Sequence, residues 1–88
     1  MSDYKDGYEA GGQDRSPMDA FRLSQYSDKF RVGYVMGHGE SANVGTPAEY
    51  RYSLIGELAA KLRVPCSDFR EVLEDDFYDD FKRGYLGE

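Results

Sequence analysis

Apolar residues recur three and four positions apart along much of this chain, which is the spacing of an amphipathic α-helix. The clearest stretch follows Thr46-Pro47-Ala48-Glu49, where threonine and glutamate stand as in a capping box and proline takes the first helical position. This helix is predicted to end before Pro65 and to bury one stripe of its surface. The predicted stripe consists of Tyr50, Leu54, Ile55, Leu58, Ala59 and Leu62.

An earlier helix is predicted from Pro17 towards Gly37, because Ser16 can serve as its N-cap and proline suits the first turn. A break in this helix is expected near Ser27. The apolar stripe predicted for the segment consists of Met18, Phe21, Gln25 or Tyr26, Phe30, Gly33 and Gly37.

The stretch over residues 30–36 has an alternative interpretation as a β-strand, since Val32 and Val35 are compatible with extended structure. The following residues, 37–45, contain three glycines together with serine and asparagine, and they are predicted to form a loop. The sequence therefore predicts a mainly α fold of three to four short helices, with an α+β fold as the alternative.

A last helix is predicted over residues 68–83, with Ser67 or Asp68 as its cap and Gly84 as its terminator. Its predicted buried residues are Phe69, Val72, Leu73, Phe77 and Phe81.

The chain is predicted to divide into a short N-terminal segment and one domain. Residues 1–13 are polar and glycine-rich, so they are expected to be flexible or to form a short helix around Tyr4–Gly11. Residues 14–88 are expected to form a single small helical domain that ends in the helix over 68–83.

A short motif of an aromatic residue, a base, any residue, glycine and tyrosine occurs three times. If the first two copies are helical, Gly7 and Gly11 share one face, and so do Gly33 and Gly37. Glycine inside a helix costs about 1 kcal/mol relative to alanine, so the repeated pairs predict close packing between helices. The three copies lie at Tyr4–Gly11, Phe30–Gly37 and Phe81–Gly87.

Length and composition exclude several classes of protein. The 88 residues are enough for one domain, and 40% of them are hydrophobic, with eight tyrosines and five phenylalanines. The single Cys66 excludes an internal disulfide framework. The sequence contains neither an apolar run of about 18 residues, as a membrane span needs, nor a signal-peptide pattern. A cytoplasmic protein is therefore expected, with self-association possible because its core is small.

The sequence shows no pattern of catalytic, cofactor-binding or metal-binding residues. Residues 37–41 match neither the G-x-S-x-G elbow nor a P-loop. The only histidine, His38, is interpreted as a loop or helix-end residue. Residues 71–80 are acidic but lack the glycine and oxygen spacing of an EF-hand. We therefore expect neither an enzyme nor a bound cofactor or metal ion.

Formal charge is −6, and it is concentrated in residues 66–80, which contain seven acids and one base. In one helix, Glu71/Asp75, Asp75/Asp79 and Asp76/Asp80 would repel each other four positions apart, and Arg83 would relieve only Asp79. Such a surface opposes nucleic-acid binding and attracts basic partners, although a solvated helix face is the alternative.

The preferred hypothesis is an inhibitor or decoy whose acidic helix imitates a nucleic-acid backbone. Phages and mobile elements carry such proteins, and the partner would be a CRISPR effector, a polymerase or a restriction enzyme. Aromatic side chains would anchor the complex while carboxylates steer it. The predicted binding residues are Glu71, Glu74, Asp75, Asp76, Tyr78, Asp79, Asp80 and Tyr85.

Residues 4–38 resemble ribosome modulation factor and its short relatives. Gly7-Tyr8-Glu9-Ala10-Gly11 matches the first motif of that family and Ser16-Pro17-Met18 its turn. Phe30-Arg31-Val32-Gly33-Tyr34 stands where the family has Trp-x-x-Gly-Trp. The resemblance implies two small helices that clasp each other and bind the small ribosomal subunit during hibernation. That family is strongly basic, whereas this chain is acidic.

The basic residues available for such an rRNA contact are Arg15, Arg22, Lys29 and Arg31. A third hypothesis is a structural or assembly subunit whose acidic end docks on a larger partner.

Overall fold

The computed structural model describes residues 3–88, and every regular element in that range is helical. The predicted mainly α fold is confirmed, and the alternative strand over residues 30–36 is wrong, because those residues lie inside a helix. The elements are α1 (Asp3–Gln13), α2 (Ala20–Leu23), α3 (Asp28–Ala42), α4 (Ala48–Lys61), a short 3-10 helix (Cys66–Phe69) and α5 (Asp75–Leu86).

Helices α1 and α3 pack in parallel along their glycines. Gly7 faces the backbone between Phe30 and Tyr34, and Gly11 faces the next turn, between Tyr34 and His38. A Cβ atom on either glycine would overlap a carbonyl oxygen of α3. From the other side, Gly33 and Gly37 contact the carbonyl groups of Tyr4 and Tyr8 in the same way. The first two copies of the repeated motif are therefore two surfaces of one contact.

Helices α4 and α5 form a second pair of the same kind. Gly84 lies against the carbonyl group of Ser53, and Gly56 lies against that of Phe81. The prediction that Gly84 ends the last helix is wrong, because α5 continues to Leu86 and terminates at Gly87, which has a φ of 79°. The third copy of the motif is thus also a packing surface, and its partner is a glycine outside the repeat.

The two pairs have the same construction. In each, two long parallel helices are joined by an irregular connection that contains one short helix. The connection over residues 14–27 holds α2, and the connection over residues 62–74 holds the 3-10 helix. Residues 3–42 and 48–86 are therefore two versions of one arrangement, and α1 belongs to the packed structure.

The hydrophobic core lies between the two halves and in their connections. Helix α3 is buried on nearly every side from Val32 to Gly39, which is why its sequence is apolar without a clear stripe. Gly39 lies against the side chain of Ile55, so α3 and α4 approach closely at the centre of the molecule. The side chains with no exposed surface are Leu23, Tyr34, Val35, Ile55, Ala59, Val64, Phe69 and Phe81.

The segment around α2 and α3 differs from the prediction at both ends. Pro17 precedes the helix instead of starting it, and Asp19 caps α2 by accepting a hydrogen bond from the Arg22 backbone at 2.8 Å. The expected break at Ser27 is confirmed, since Ser27 caps α3 by accepting from the Phe30 backbone at 3.2 Å. The loop predicted over residues 37–45 is wrong in its first part, because α3 continues to Ala42.

Two predictions about the later helices are also wrong. The capping box at residues 46–49 does not form, since α4 starts after Pro47 without a side-chain hydrogen bond at its cap. The helix predicted over 68–83 is two elements, the 3-10 helix and α5, separated by a turn over residues 70–74. Five hydrophobic side chains assigned to the predicted apolar stripes are exposed instead: Phe21 (76%), Tyr26 (43%), Tyr50 (62%), Leu54 (41%) and Val72 (39%).

Candidate functional site

Five exposed carboxylates lie in the turn before α5 and in its first two turns, and we call them the acidic patch. They are Glu71, Glu74, Asp75, Asp76 and Asp79. Within residues 3–88, none of the five forms an ion pair in the structure. The patch is therefore a concentration of negative charge directed to solvent.

The turn before α5 changes the energetics predicted for these acids. Glu71 is not in the same helix as Asp75, so the first of the three predicted repulsive pairs does not exist. Asp75 and Asp76 occupy the first turn of α5, where negative side chains stabilise the helix by interacting with its macrodipole. These two acids consequently have a structural role that the sequence interpretation missed.

Arg83 was predicted to pair with Asp79, but it pairs with Asp80 instead. The Asp80 side chain is 15% exposed, so it is the least accessible of the predicted binding carboxylates. Asp79 remains exposed, and the acidic patch is better defined without Asp80.

The predicted aromatic anchors are not free on the surface. Tyr78 is 8% exposed, and its hydroxyl accepts a weak hydrogen bond from the Cys66 thiol at 3.8 Å. The Arg70 guanidinium lies 5.1 Å from the centre of the Tyr78 ring, and burial raises the pKa of the hydroxyl. Tyr85 is half-buried beside Phe81, with ring centroids 6.0 Å apart. Tyr78, which the sequence predicts as a binding residue, is therefore not an exposed anchor.

Of the four basic residues predicted as an alternative rRNA-binding site, three are exposed and one is partly buried. Arg15, Arg22 and Lys29 are exposed, but they lie on separate elements: the connection after α1, α2, and the start of α3. Arg31 is partly buried and pairs with Asp28. Its Nε atom is buried and has no hydrogen-bond partner among residues 3–88.

The only histidine is part of the packing between α1 and α3. His38, interpreted from the sequence as a loop or helix-end residue, lies inside α3 one turn before its end at Ala42. Its Nδ1 atom is 3.1 Å from the carbonyl oxygen of Gly11. Next to it, the hydroxyl of Tyr34 donates to Asp14 at 2.6 Å and accepts from the Met18 backbone at 2.8 Å. Burial and the hydrogen bond to Asp14 raise the pKa of Tyr34 to about 12. These contacts hold the first connection against the helix pair.

A second tyrosine is tied to a carboxylate across the same pair of helices. The hydroxyl of Tyr8 donates a hydrogen bond to Glu40, which raises the pKa of Tyr8 to about 12. Within residues 3–88, no group of three His, Cys, Asp or Glu side chains is placed to hold a metal ion.

A groove of about 620 Å³ opens next to the acidic patch. Tyr4, Val32 and Val72 supply its apolar surface, and Asp68 and Glu71 lie among its charged residues. The sequence interpretation missed this groove because its walls come from α1, α3 and the connection before α5. The only local signal for the groove is a valine in an acidic segment, Val72, and its spacing predicts a buried residue.

Comparisons of the chain with protein-family models, curated proteins and solved structures found no match. The resemblance to ribosome modulation factor therefore depends on the quoted motifs alone. Across the described residues, no helix is both long and apolar enough to cross a membrane.

Proposed function

We propose that this protein is a non-catalytic inhibitor or decoy whose acidic patch occupies a basic, nucleic-acid-binding surface of a partner protein. The observation that carries the proposal is the set of five exposed carboxylates without ion pairs among residues 3–88. Carboxylates at this density resemble the phosphates of a nucleic acid in charge, and a groove that binds phosphates would attract them.

The structure supports a rigid display of this charge. Glu74, Asp75 and Asp76 are held at the start of α5. Helix α5 is fixed to α4 by the contacts of Gly56 with the Phe81 backbone and of Gly84 with the Ser53 backbone. Because the acids are exposed in the free protein, their carboxylates interact with water before binding. Binding replaces these interactions with interactions between the carboxylates and the basic groups of the partner. Their main effect is therefore on association rate and on the choice of partner.

The partner class follows from the charge. A CRISPR effector, a polymerase or a restriction enzyme presents a basic groove of the required kind, and phages and mobile elements carry small inhibitors of these machines. The protein would act in the cytoplasm, where these enzymes work.

A capture experiment with a charge-matched control tests the proposal. The tagged protein is incubated with lysate and washed in low and high salt, and the retained proteins are identified by mass spectrometry. We expect a nucleic-acid-binding enzyme that high salt releases. The triple variant Glu71→Gln, Glu74→Gln, Asp79→Asn should lose it, while Asp75 and Asp76 still support α5.

The control variant carries Asp6→Asn, Glu9→Gln and Glu57→Gln, which remove the same charge from exposed positions elsewhere. It should retain the enzyme. Equal capture by the two triple variants would show that net charge, and not the patch, determines binding, and the proposal would fail.

A second candidate function is modulation of the ribosome, and the α1–α3 pair favours it. The resemblance to ribosome modulation factor implies two clasped helices within residues 4–38, and α1 and α3 pack through four glycines in that range. Arg15, Arg22 and Lys29 would supply the exposed contacts to rRNA.

Sedimentation with purified small ribosomal subunits tests this second candidate. Binding should disappear when Arg15, Arg22 and Lys29 are changed to glutamine. It should persist when Lys61, Arg63 and Lys82 are changed in the same way. A chain that never sediments with the subunits excludes the ribosomal function, and an assembly role would then show as capture of a large complex by the acidic end.

A further inference from the structure

The groove beside the acidic patch has an apolar surface built from three separate parts of the chain. Tyr4 of α1 is half-buried, Val32 of α3 is buried, and Val72 in the turn before α5 is 39% exposed. Its volume of about 620 Å³ is in the range of sites that hold a large side chain or a small ligand.

The charges around the groove favour a basic occupant. Asp68 and Glu71 line it, and within residues 3–88 neither forms an ion pair. Arg70 also lines it, but its guanidinium lies over the Tyr78 ring at 5.1 Å. Glu71 belongs to the groove and to the acidic patch, so the two surfaces are continuous. Lys29 is the remaining base at the groove.

The acidic patch needs such an apolar contact if it is to bind tightly. Exposed carboxylates set the rate of association, whereas buried apolar and aromatic contacts supply most of the affinity of protein interfaces. The two tyrosines of α5, next to the acidic patch, are not free to act as its anchors, since Tyr78 is buried and Tyr85 is half-buried. The anchor must then come from the partner, and this chain must supply the cavity.

We propose that the groove receives one large apolar side chain from a lysine- or arginine-rich segment of the partner protein. The side chain packs between Val32 and Val72, and the flanking bases contact Asp68, Glu71 and the rest of the acidic patch. This inference rests on the proposed function, because it names the part of the basic partner that the patch recognises.

Two synthetic peptides test the groove directly. One contains lysines alternating with glycines and a single central phenylalanine, and the other has serine in place of the phenylalanine. Affinity is measured at low ionic strength by fluorescence anisotropy. We expect the phenylalanine peptide to bind about 10-fold more tightly, because it buries one large apolar side chain.

Two valine variants test whether the groove causes the difference in affinity between the two peptides. Val72→Ser should make the two peptides bind equally, since it removes an apolar wall of the groove. Val44→Ser is the matched control, because Val44 is 83% exposed and does not line the groove. It should leave the 10-fold preference unchanged. Backbone amide shifts in NMR spectra should move at Val32 and Val72 only with the phenylalanine peptide.

A third variant separates this inference from the proposed function. Glu74→Gln, Asp76→Asn and Asp79→Asn remove acids outside the groove, and they should weaken both peptides by the same factor. If they weaken neither, the acidic patch does not recognise basic segments, whatever the groove does. The groove proposal is overturned if the two peptides bind the unmodified protein equally, if neither binds, or if the preference survives Val72→Ser.

Discussion

At the scale of single residues, Arg63 is in a conformation that favours glycine. It follows α4 with a φ of 60°, and Val64 and Arg63 donate backbone hydrogen bonds to Ala59 and Ala60 in a Schellman motif. The other half of the molecule ends α5 in the same motif, where the corresponding residue is Gly87. A side chain at such a position strains the backbone.

Replacing Arg63 with glycine should therefore stabilise the protein. The expected gain is about 0.5–1 kcal/mol, because relief of the left-handed strain exceeds the added entropy of the unfolded chain. Gly87→Ala is the reverse change and should destabilise the protein by a similar amount. Urea unfolding of the two variants measures both effects, and a loss of stability in Arg63→Gly would contradict the strain.

Tyr8 and Tyr34 are two of the tyrosines that make stability depend on alkaline pH. The pKa of Tyr8 and Tyr34 is raised from 10.0 to about 12 in the folded protein. Between these values the unfolded chain releases protons that the folded protein retains, so the stabilisation is complete below pH 10 and is lost as the pH rises towards 12. The free energy of unfolding should fall steadily over this window.

Tyr34→Phe should make that fall shallower, although it lowers stability at neutral pH by about 1 kcal/mol through the lost hydrogen bonds. Tyr50→Phe is the control, since Tyr50 is 62% exposed, and it should keep the full pH dependence. Chemical denaturation at several pH values gives the slopes, and identical slopes for the three proteins would refute the role of Tyr34.

At the scale of elements, glycines decide how the helices pair. Gly33 lies against the backbone of Tyr4, and Gly84 lies against that of Ser53, so backbone atoms occupy the space of a side chain. Gly12 in α1 is different, because the nearest atom to an added Cβ is the Gly37 oxygen at 3.9 Å. The chain thus contains its own control for the effect of adding a methyl group.

We expect Gly33→Ala and Gly84→Ala each to lower the free energy of unfolding by about 2–3 kcal/mol, since one helix must move away from its partner. Gly12→Ala should be neutral or stabilising by up to about 1 kcal/mol, because alanine favours helix. Thermal unfolding followed by circular dichroism compares the three. Similar stabilities for Gly12→Ala and Gly33→Ala would show that the glycines do not determine the packing.

At the scale of the whole molecule, the two helix pairs share one core. Ile55 of α4 has no exposed surface and lies against Gly39 of α3, so the halves meet through buried apolar contacts. Neither half buries these residues alone. The protein should therefore unfold as one cooperative unit, although its construction is twofold.

Ile55→Ala tests this cooperativity. It should cost about 2–4 kcal/mol by leaving a cavity, and amide hydrogen exchange should accelerate by the same factor in α1 and in α5. Faster exchange in α4 and α5 alone would show that the halves unfold independently. The variant Leu54→Ala, at a neighbouring residue that is 41% exposed, should change exchange much less.

The sequence by itself determined the helical class, the break at Ser27 and the existence of close contacts at the repeated glycines. These properties depend on local spacing and on the cost of glycine inside a helix, which a single chain shows directly. It also located the concentration of acids after residue 70, because charge is a property of composition.

Only the tertiary structure decided which surfaces those residues present. Gly84 is predicted as a terminator because glycine commonly ends helices. Its packing against α4 has no local signal, since Ser53 is distant in sequence and Gly56 lacks the tyrosine of the repeat. Tyr78 is buried and Val72 is exposed, which is the reverse of the prediction, because residues 70–74 form a turn. The turn gives the side chains of α5 a different orientation from the one that a single helix over 68–83 would give them. The acidic patch and its groove depend on that turn, since no local pattern fixes how three separate segments meet.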